Sequence, residues 1–194
     1  METIAAIATA PGRAGLAIVR VSGPAVPAIA RAVGFPELEA RRATYGRLRH
    51  PDDDREIDRV LATRFVAPAS YTGEDVVEFS CHGGALVPSL VLDAVCAAGA
   101  RPAAAGEFTR RAFLNGKMDR IQVEATLDLV DARSEAHHRA ALFQLEGALS
   151  RRVQQIRERV LRLAAMLSYE VDFPEEDEGP IPRDAVEAAA AKVE

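Results

Sequence analysis

Two segments of this sequence carry residue types that could do chemistry. The first, Val76–Gly84, has the β-branched and aromatic content of a strand and ends in a Cys-His-Gly-Gly turn. Because side chains alternate along a strand, Glu78 shares a face with Val76 and Ser80. A carboxylate in so apolar a strand faces either solvent or a partner with hydrogen-bond donors. Both interpretations stay open, and the pattern alone slightly favours solvent.

Cys81 and His82 stand side by side at the end of this strand, which suggests a nucleophile or a metal site. Neighbours in a strand point to opposite faces, however, and no further ligands cluster nearby in the sequence. The sequence therefore predicts no catalytic residue and no metal-ligating residue here.

The second segment, Gly106–Lys117, is dense with polar groups around Phe108 and Phe113, which we expect in the core, as we do Phe79. Lys117 is one of only two lysines and follows a predicted helix end, where a cation interacts favourably with the helix dipole. On the pattern alone, a structural role at the helix end is therefore enough to explain Lys117.

The glycine-rich stretch Pro11–Gly15 favours a tight turn over a ligand-binding loop. No GxxxxGK[ST] motif occurs in the 194 residues, so we expect no nucleoside triphosphatase site in them.

Residues 1–117 must position these groups, and they indicate a mixed, α+β domain. Predicted strands are Leu16–Val21, Thr44–Leu48, Val60–Val66 and Val76–Cys81, with a hairpin tip at Pro51–Asp54. Predicted helices are Val26–Val33, Leu86–Ala97 and a short one from Gly106 to Asn115-Gly116.

Residues 118–194 have helical periodicity instead. Met118–Arg133 predicts one amphipathic helix, and eight apolar residues from Leu142 to Leu167 predict a second of about seven turns, with His137-His138 in the link between them. This apolar seam requires a helical-bundle partner from elsewhere. An acidic linker, Asp172–Pro180, and a helix from Asp184 follow. The last helix has no stop signal, so we expect the chain to end short of a whole protein.

Composition sets further bounds. No apolar run is long enough to cross a membrane, no basic-then-apolar leader opens the chain, and two cysteines cannot build a disulfide framework. We therefore expect a cytoplasmic protein with no membrane partner. Net charge is +1 for residues 1–117 and −6 for the rest, which argues against a nucleic-acid footprint in the second half.

Several ordered motifs together resemble one family, the MnmE (TrmE) tRNA modification GTPases. They are Thr9–Arg13, Ile18–Gly23, Tyr71–Asp75, His82–Gly84, Gly106–Thr109 and Arg111–Lys117, continued by Ala125, Asp128–Ala132 and Asp172–Glu176. The resemblance covers nearly the whole chain.

The resemblance implies a function that the pattern alone does not. It implies an N-terminal domain (1–117) that binds 5-formyltetrahydrofolate or a related tetrahydrofolate and forms a homodimer. It also implies the first part of a helical domain (118–194), without the GTPase domain that would bind GTP, Mg and K or the C-terminal helices. The family works with the FAD protein MnmG on carbon 5 of the tRNA wobble uridine. The family's folate-contacting arginine, pocket glutamate and motif lysine match Arg20, Glu78 and Lys117.

Two alternatives remain at this stage. One is a stand-alone folate-dependent enzyme of the aminomethyltransferase type, which the lack of a convincing acid/base pair disfavours. The other is a helical interaction scaffold in which the first domain merely folds.

Overall fold

The computed structural model describes residues 2–172 and 183–191. Contacts divide the chain into two compact units, Met1–Met118 and Asp119–Glu194, next to the predicted boundary at residue 117.

The first unit is built on a six-stranded mixed sheet, which confirms the predicted α+β class. Its strands are β1 (Ile4–Ile7), β2 (Leu16–Ser22), β3 (Ala43–Arg49), β4 (Glu56–Phe65), β5 (Val76–His82) and β6 (Arg101–Pro102), in the order β3-β4-β5-β2-β1-β6. All neighbours are antiparallel except β1 and β6. The strands predicted from the sequence are confirmed, and β4 begins four residues earlier than expected.

Helices α1 (Val26–Ala32) and α2 (Val87–Ala97) supply residues to the hydrophobic core that covers one face of the sheet. Strand alternation sends Val77, Phe79 and Cys81 into this core, so Glu78 points to the other face, as predicted. Phe79 is fully buried, which confirms its predicted core position. The third helix, α3 (Glu107–Leu114), ends at Asn115-Gly116 as expected.

The second unit is helical, with α4 (Arg120–Val130), α5 (Glu135–Leu145), α6 (Ala148–Asp172) and α7 (Arg183–Ala191). A capping box starts α4: the Asp119 carboxylate accepts from the Gln122 N–H, and the Gln122 side chain accepts from the Asp119 N–H. The Gln122 amide also donates to the carbonyl of Leu145 at 2.7 Å, which ties the end of α5 to α4.

The prediction of one continuous helix from Leu142 to Leu167 is wrong. α5 ends at Leu145, and Gly147 adopts a left-handed φ of 76° before α6 begins. The side chains of Gln122 and Arg151 donate to the carbonyls of Leu145 and Glu146. These bonds replace the helical hydrogen bonds that the two carbonyls lose where α5 ends. His137 and His138 lie within α5, not in a link.

The apolar seam on α6 stays partly exposed among the described residues. Leu149, Val153, Ile156, Val160 and Leu167 are between 38% and 48% exposed, so the predicted need for a partner stays a prediction. The acidic segment is outside the described residues from position 173 onward. Within the described ranges, no helix is long and apolar enough to cross a membrane.

Candidate functional site

Arg20 and Glu78 form a cross-strand ion pair on the sheet face opposite the α1–α2 core. The register of β2 and β5 places them directly opposite each other. Both Nε and Nη2 of Arg20 lie 2.8 Å from a single oxygen, Glu78 Oε1. Each side chain is about one quarter exposed, 25% and 23%, so the pair remains accessible from solvent. The structure thus brings together two of the three site residues named from the sequence.

The geometry of this pair leaves one acceptor atom and one donor atom unused. Among the described residues, Glu78 Oε2 accepts no hydrogen bond and Arg20 Nη1 donates none. An ionised carboxylate oxygen is an acceptor only, and a guanidinium nitrogen is a donor only. The pair therefore leaves one acceptor atom on Glu78 and one donor atom on Arg20 free for a polar ligand.

Two aromatic rings flank the Arg20 guanidinium. Its Cζ lies 5.1 Å from the centre of the Tyr71 ring and 5.5 Å from that of Phe108. Tyr71 comes from the β4–β5 loop and Phe108 from the first turn of α3, and the Tyr71 hydroxyl bonds the Thr109 hydroxyl at 2.9 Å. The predicted core position of Phe108 is wrong, because the ring is half-buried beside Arg20. Phe113, also predicted in the core, is 45% exposed.

Lys117 follows α3 and contacts the β4–β5 loop, which also carries Tyr71. Its Nζ donates to the carbonyl of Pro68 at 3.0 Å, and its methylene chain passes close to Gly73. Within the part of the chain that the structure describes, no hydrogen bond joins Lys117 to Arg20 or Glu78. Lys117 therefore borders the loop, and its ammonium group is exposed.

A buried polar network beneath the rings was not predicted from the sequence. Arg111, 4% exposed, donates to both carboxylate oxygens of Glu74 at 3.0 and 3.2 Å and to Glu107 at 3.0 Å. Ser22 bonds Thr72 and Glu74, each at 2.7 Å. The network ties the β4–β5 loop to β2 and α3. The signal was Glu107 and Arg111 at i, i+4 on one helix, with Glu74 in a separate motif.

Glu107 is the most strongly perturbed carboxylate of this network. Hydrogen bonds from the Arg101 guanidinium, then from the Ala104 N–H and Arg111, lower its pKa to about 2. Arg101 binds both oxygens of Glu107, at 2.7 and 2.9 Å. Glu107 thus stays ionised at neutral pH and serves as a structural anchor.

Cys81 and His82 diverge, as strand alternation predicts. Burial raises the pKa of the Cys81 thiol to about 11, and the thiol donates to the carbonyl of Ala17. An inert, protonated thiol is not a nucleophile. His82 instead bonds Asp58 through its backbone N–H and its ring Nδ1, each at 2.8 Å. Within the described residues, no group of three or more acidic, His or Cys side chains could hold a metal ion.

The Pro11–Gly15 stretch forms part of the wall of a separate cleft of about 420 Å³, together with Gly83 and Gly84. The backbone of Gly83 approaches the carbonyl of Ala14 so closely that a Cβ would lie 2.2 Å from that oxygen. Glycine is therefore required at position 83 because a side chain would clash with this carbonyl. Neither Arg20, Glu78 nor Lys117 lines the cleft.

A mixed sheet with an ion pair and aromatic rings on one face, followed by a helical unit, defines a two-part protein with an α+β domain and a helical domain. The family described as "GTP-binding protein TrmE N-terminus" matches residues 3–117, and "MnmE helical domain" matches residues 121–194. The chain belongs to the MnmE (TrmE) family, which confirms the resemblance.

Curated relatives agree in name. The chain is similar to proteins named tRNA modification GTPase MnmE from Heliobacterium modesticaldum (47% identical, 91% of this chain and 39% of the relative) and Geobacter metallireducens (44%, 97% and 42%). The relative from Caulobacter vibrioides is 48% identical over 97% of this chain and 41% of its own length. The chain thus spans about two fifths of the relatives it matches.

Proposed function

We propose that the first unit binds 5-formyltetrahydrofolate, or a related one-carbon tetrahydrofolate, through Arg20, Glu78 and Lys117, and that it forms a homodimer. In this proposal the chain is the N-terminal part of a GTPase that, with MnmG, modifies carbon 5 of the wobble uridine in tRNA. GTP hydrolysis would need a phosphate loop that these 194 residues do not contain.

The free acceptor and the free donor of the Arg20–Glu78 pair are the observation that carries the folate proposal. The pterin ring of a folate has a lactam edge, in which a ring N–H stands beside a carbonyl oxygen. Glu78 Oε2 can accept from that N–H, and the free Nη1 of Arg20 can donate to another acceptor atom of the same ligand. A single planar ligand would then meet both residues at once, because the ion pair holds them side by side at 2.8 Å.

Lys117 supports the anionic end of the same ligand. The glutamyl tail of a folate carries carboxylates, and the exposed ammonium of Lys117 uses one of its three donors on Pro68 among the described residues. The β4–β5 loop links Lys117 to Tyr71 beside Arg20, so the cation and the ion pair border one loop.

An exposed apolar pair on the same sheet face supports dimerisation. Tyr45 on β3 and Leu61 on β4 are directly opposite each other and are 65% and 45% exposed. Large apolar side chains exposed together are typical of interaction surfaces. We propose that a second copy of this chain covers them.

Titration calorimetry with 5-formyltetrahydrofolate tests the folate site. Loss of a charge-assisted hydrogen bond in Glu78→Gln is expected to weaken affinity about tenfold or more. Glu56→Gln removes a carboxylate from β4 whose partners are Arg47 and Arg59, and it should leave affinity unchanged. Lys117→Ala should also weaken binding, with Lys192→Ala, the other lysine of the sequence, as its control.

The results separate the possibilities. No binding by the wild-type chain would contradict the folate proposal and favour the helical-scaffold alternative. Binding that is equally tight in Glu78→Gln and Arg20→Gln would leave folate binding in place but refute this site. Turnover of a one-carbon folate by the isolated chain would favour the aminomethyltransferase alternative.

A further inference from the structure

Arg20 is restrained by more than its ion pair. The guanidinium lies between the Tyr71 and Phe108 rings, whose centres are 5.1 and 5.5 Å from Cζ, and Glu78 holds its Nε and Nη2. A long arginine side chain on an open sheet face would otherwise sample many rotamers. These contacts leave Nη1 as the guanidinium nitrogen that makes no hydrogen bond among the described residues.

The two rings come from different elements that are joined close to the guanidinium. The Tyr71–Thr109 hydroxyl bond, 2.9 Å long, connects the β4–β5 loop to α3 immediately beside Phe108. In the same region, Asn115 donates to the carbonyl of Thr72 at 2.7 Å, and the buried Arg111 binds Glu74. The positions of both rings are therefore restrained by polar contacts between the β4–β5 loop and the α3 region.

We infer that Tyr71, Phe108 and Thr109 are positioning residues, which hold the Arg20 guanidinium in the orientation that pairs with Glu78 and leaves Nη1 free for a ligand. This inference rests on the proposed function, since the ligand it serves is the planar lactam-bearing folate. Rigid placement of the donor before binding removes the ordering cost that a mobile arginine would add to complex formation. The aromatic residues thus act on affinity through Arg20.

The position of the rings also gives two of the sequence motifs a shared function. Tyr71 opens the Tyr71–Asp75 motif, and Phe108 and Thr109 lie in the Gly106–Thr109 motif. Their polar residues build the network, and their aromatic residues contact the guanidinium. Neither motif needs to contact the ligand for its substitution to weaken binding.

NMR relaxation of the Arg20 Nε–H in the ligand-free 194-residue chain tests the inference directly. We expect an ordered Nε–H in the wild type and greater mobility in both Phe108→Leu and Thr109→Val. Phe113→Leu, which shortens an exposed ring on the same helix, should leave the signal unchanged. A purely structural role for Phe108 would lower thermal stability without mobilising Arg20.

Calorimetry with 5-formyltetrahydrofolate gives the second measurement. Phe108→Leu is expected to weaken affinity about fivefold in the wild-type background, the scale of a cation–π or hydrogen-bond contact, and to have little further effect in Arg20→Gln. An equal loss in both backgrounds, or an Nε–H whose order does not change, would overturn the inference. Failure of the wild type to bind folate would instead overturn the proposed function, whereas the order of the Nε–H alone decides whether the rings position Arg20.

Discussion

Glu107 shows how one side chain connects the site to the rest of the first unit. It accepts hydrogen bonds from Arg101, Arg111 and the Ala104 N–H, and it is only 9% exposed. Through Arg111 it continues to Glu74 and so to the loop that carries Tyr71. Removing this carboxylate would leave two guanidinium groups without a shared partner.

We predict that Glu107→Gln lowers the free energy of unfolding at pH 7 by about 1.5–3 kcal/mol, the range for a hydrogen bond to a charged group. Urea unfolding followed by circular dichroism measures the change. Glu37→Gln, at an exposed carboxylate, is the control and should leave stability at pH 7 unchanged. A loss below 0.5 kcal/mol would contradict the structural role.

The same residue predicts a pH dependence of stability. Its folded-state pKa of about 2 lies below the ordinary 4.5, so the stabilisation is fully present above about pH 4.5 and is lost as the pH falls toward 2. Repeating the unfolding series between pH 6 and pH 2 should show a smaller decline in Glu107→Gln than in the wild type. Equal declines would show that Glu107 does not supply this pH-dependent stabilisation.

At the scale of elements, the junction between α5 and α6 depends on a single glycine. Gly147 has φ 76°, and a Cβ there would meet Arg151 and Gln122 at an ordinary 3.5 Å. The cost of a side chain is therefore backbone strain rather than a clash. We expect Gly147→Ala to destabilise the protein by about 1–2 kcal/mol in urea unfolding.

Gly15→Ala is the matched control for Gly147→Ala. A Cβ at Gly15 would meet nothing within 4 Å, and its φ is outside the left-handed range, so little change is expected. If Gly147→Ala were stabilising instead, α5 and α6 would prefer the continuous helix that the apolar spacing suggested.

The elements also show what a sequence can predict. Strand alternation correctly placed Glu78 on the other face of the sheet from Phe79, because that relation is local and depends only on the period of the strand. The end of α5 was missed because the apolar spacing from Leu142 to Leu167 outweighed the local stop signal of Gly147, and the support of the Leu145 carbonyl by Gln122, 23 residues away, is not visible in the sequence. Phe108 was misplaced for a similar reason: its neighbour Arg20 is distant in sequence, and an aromatic residue in an amphipathic helix usually marks a core.

For the whole molecule, the candidate site and the exposed apolar pair share one face of the sheet. Arg20 and Glu78 lie on β2 and β5, and Leu61 lies on β4, paired with Ser80 of β5 on that same side. A second copy bound at Tyr45 and Leu61 would therefore approach the proposed folate site. Dimerisation and ligand binding are then expected to influence each other through this face.

We predict that light scattering reports about twice 20.8 kDa for the wild-type chain, as a closed two-fold pair requires. Leu61→Asp places a charge in the apolar pair and should shift the mass toward 20.8 kDa, because the charge would be desolvated in the contact. Leu86→Asp changes a leucine that is 68% exposed just before α2, outside the sheet, and should leave the dimer intact. A monomeric wild type at micromolar concentration would contradict dimerisation itself. A Leu61→Asp dimer with normal circular dichroism would instead place the interface on a different surface.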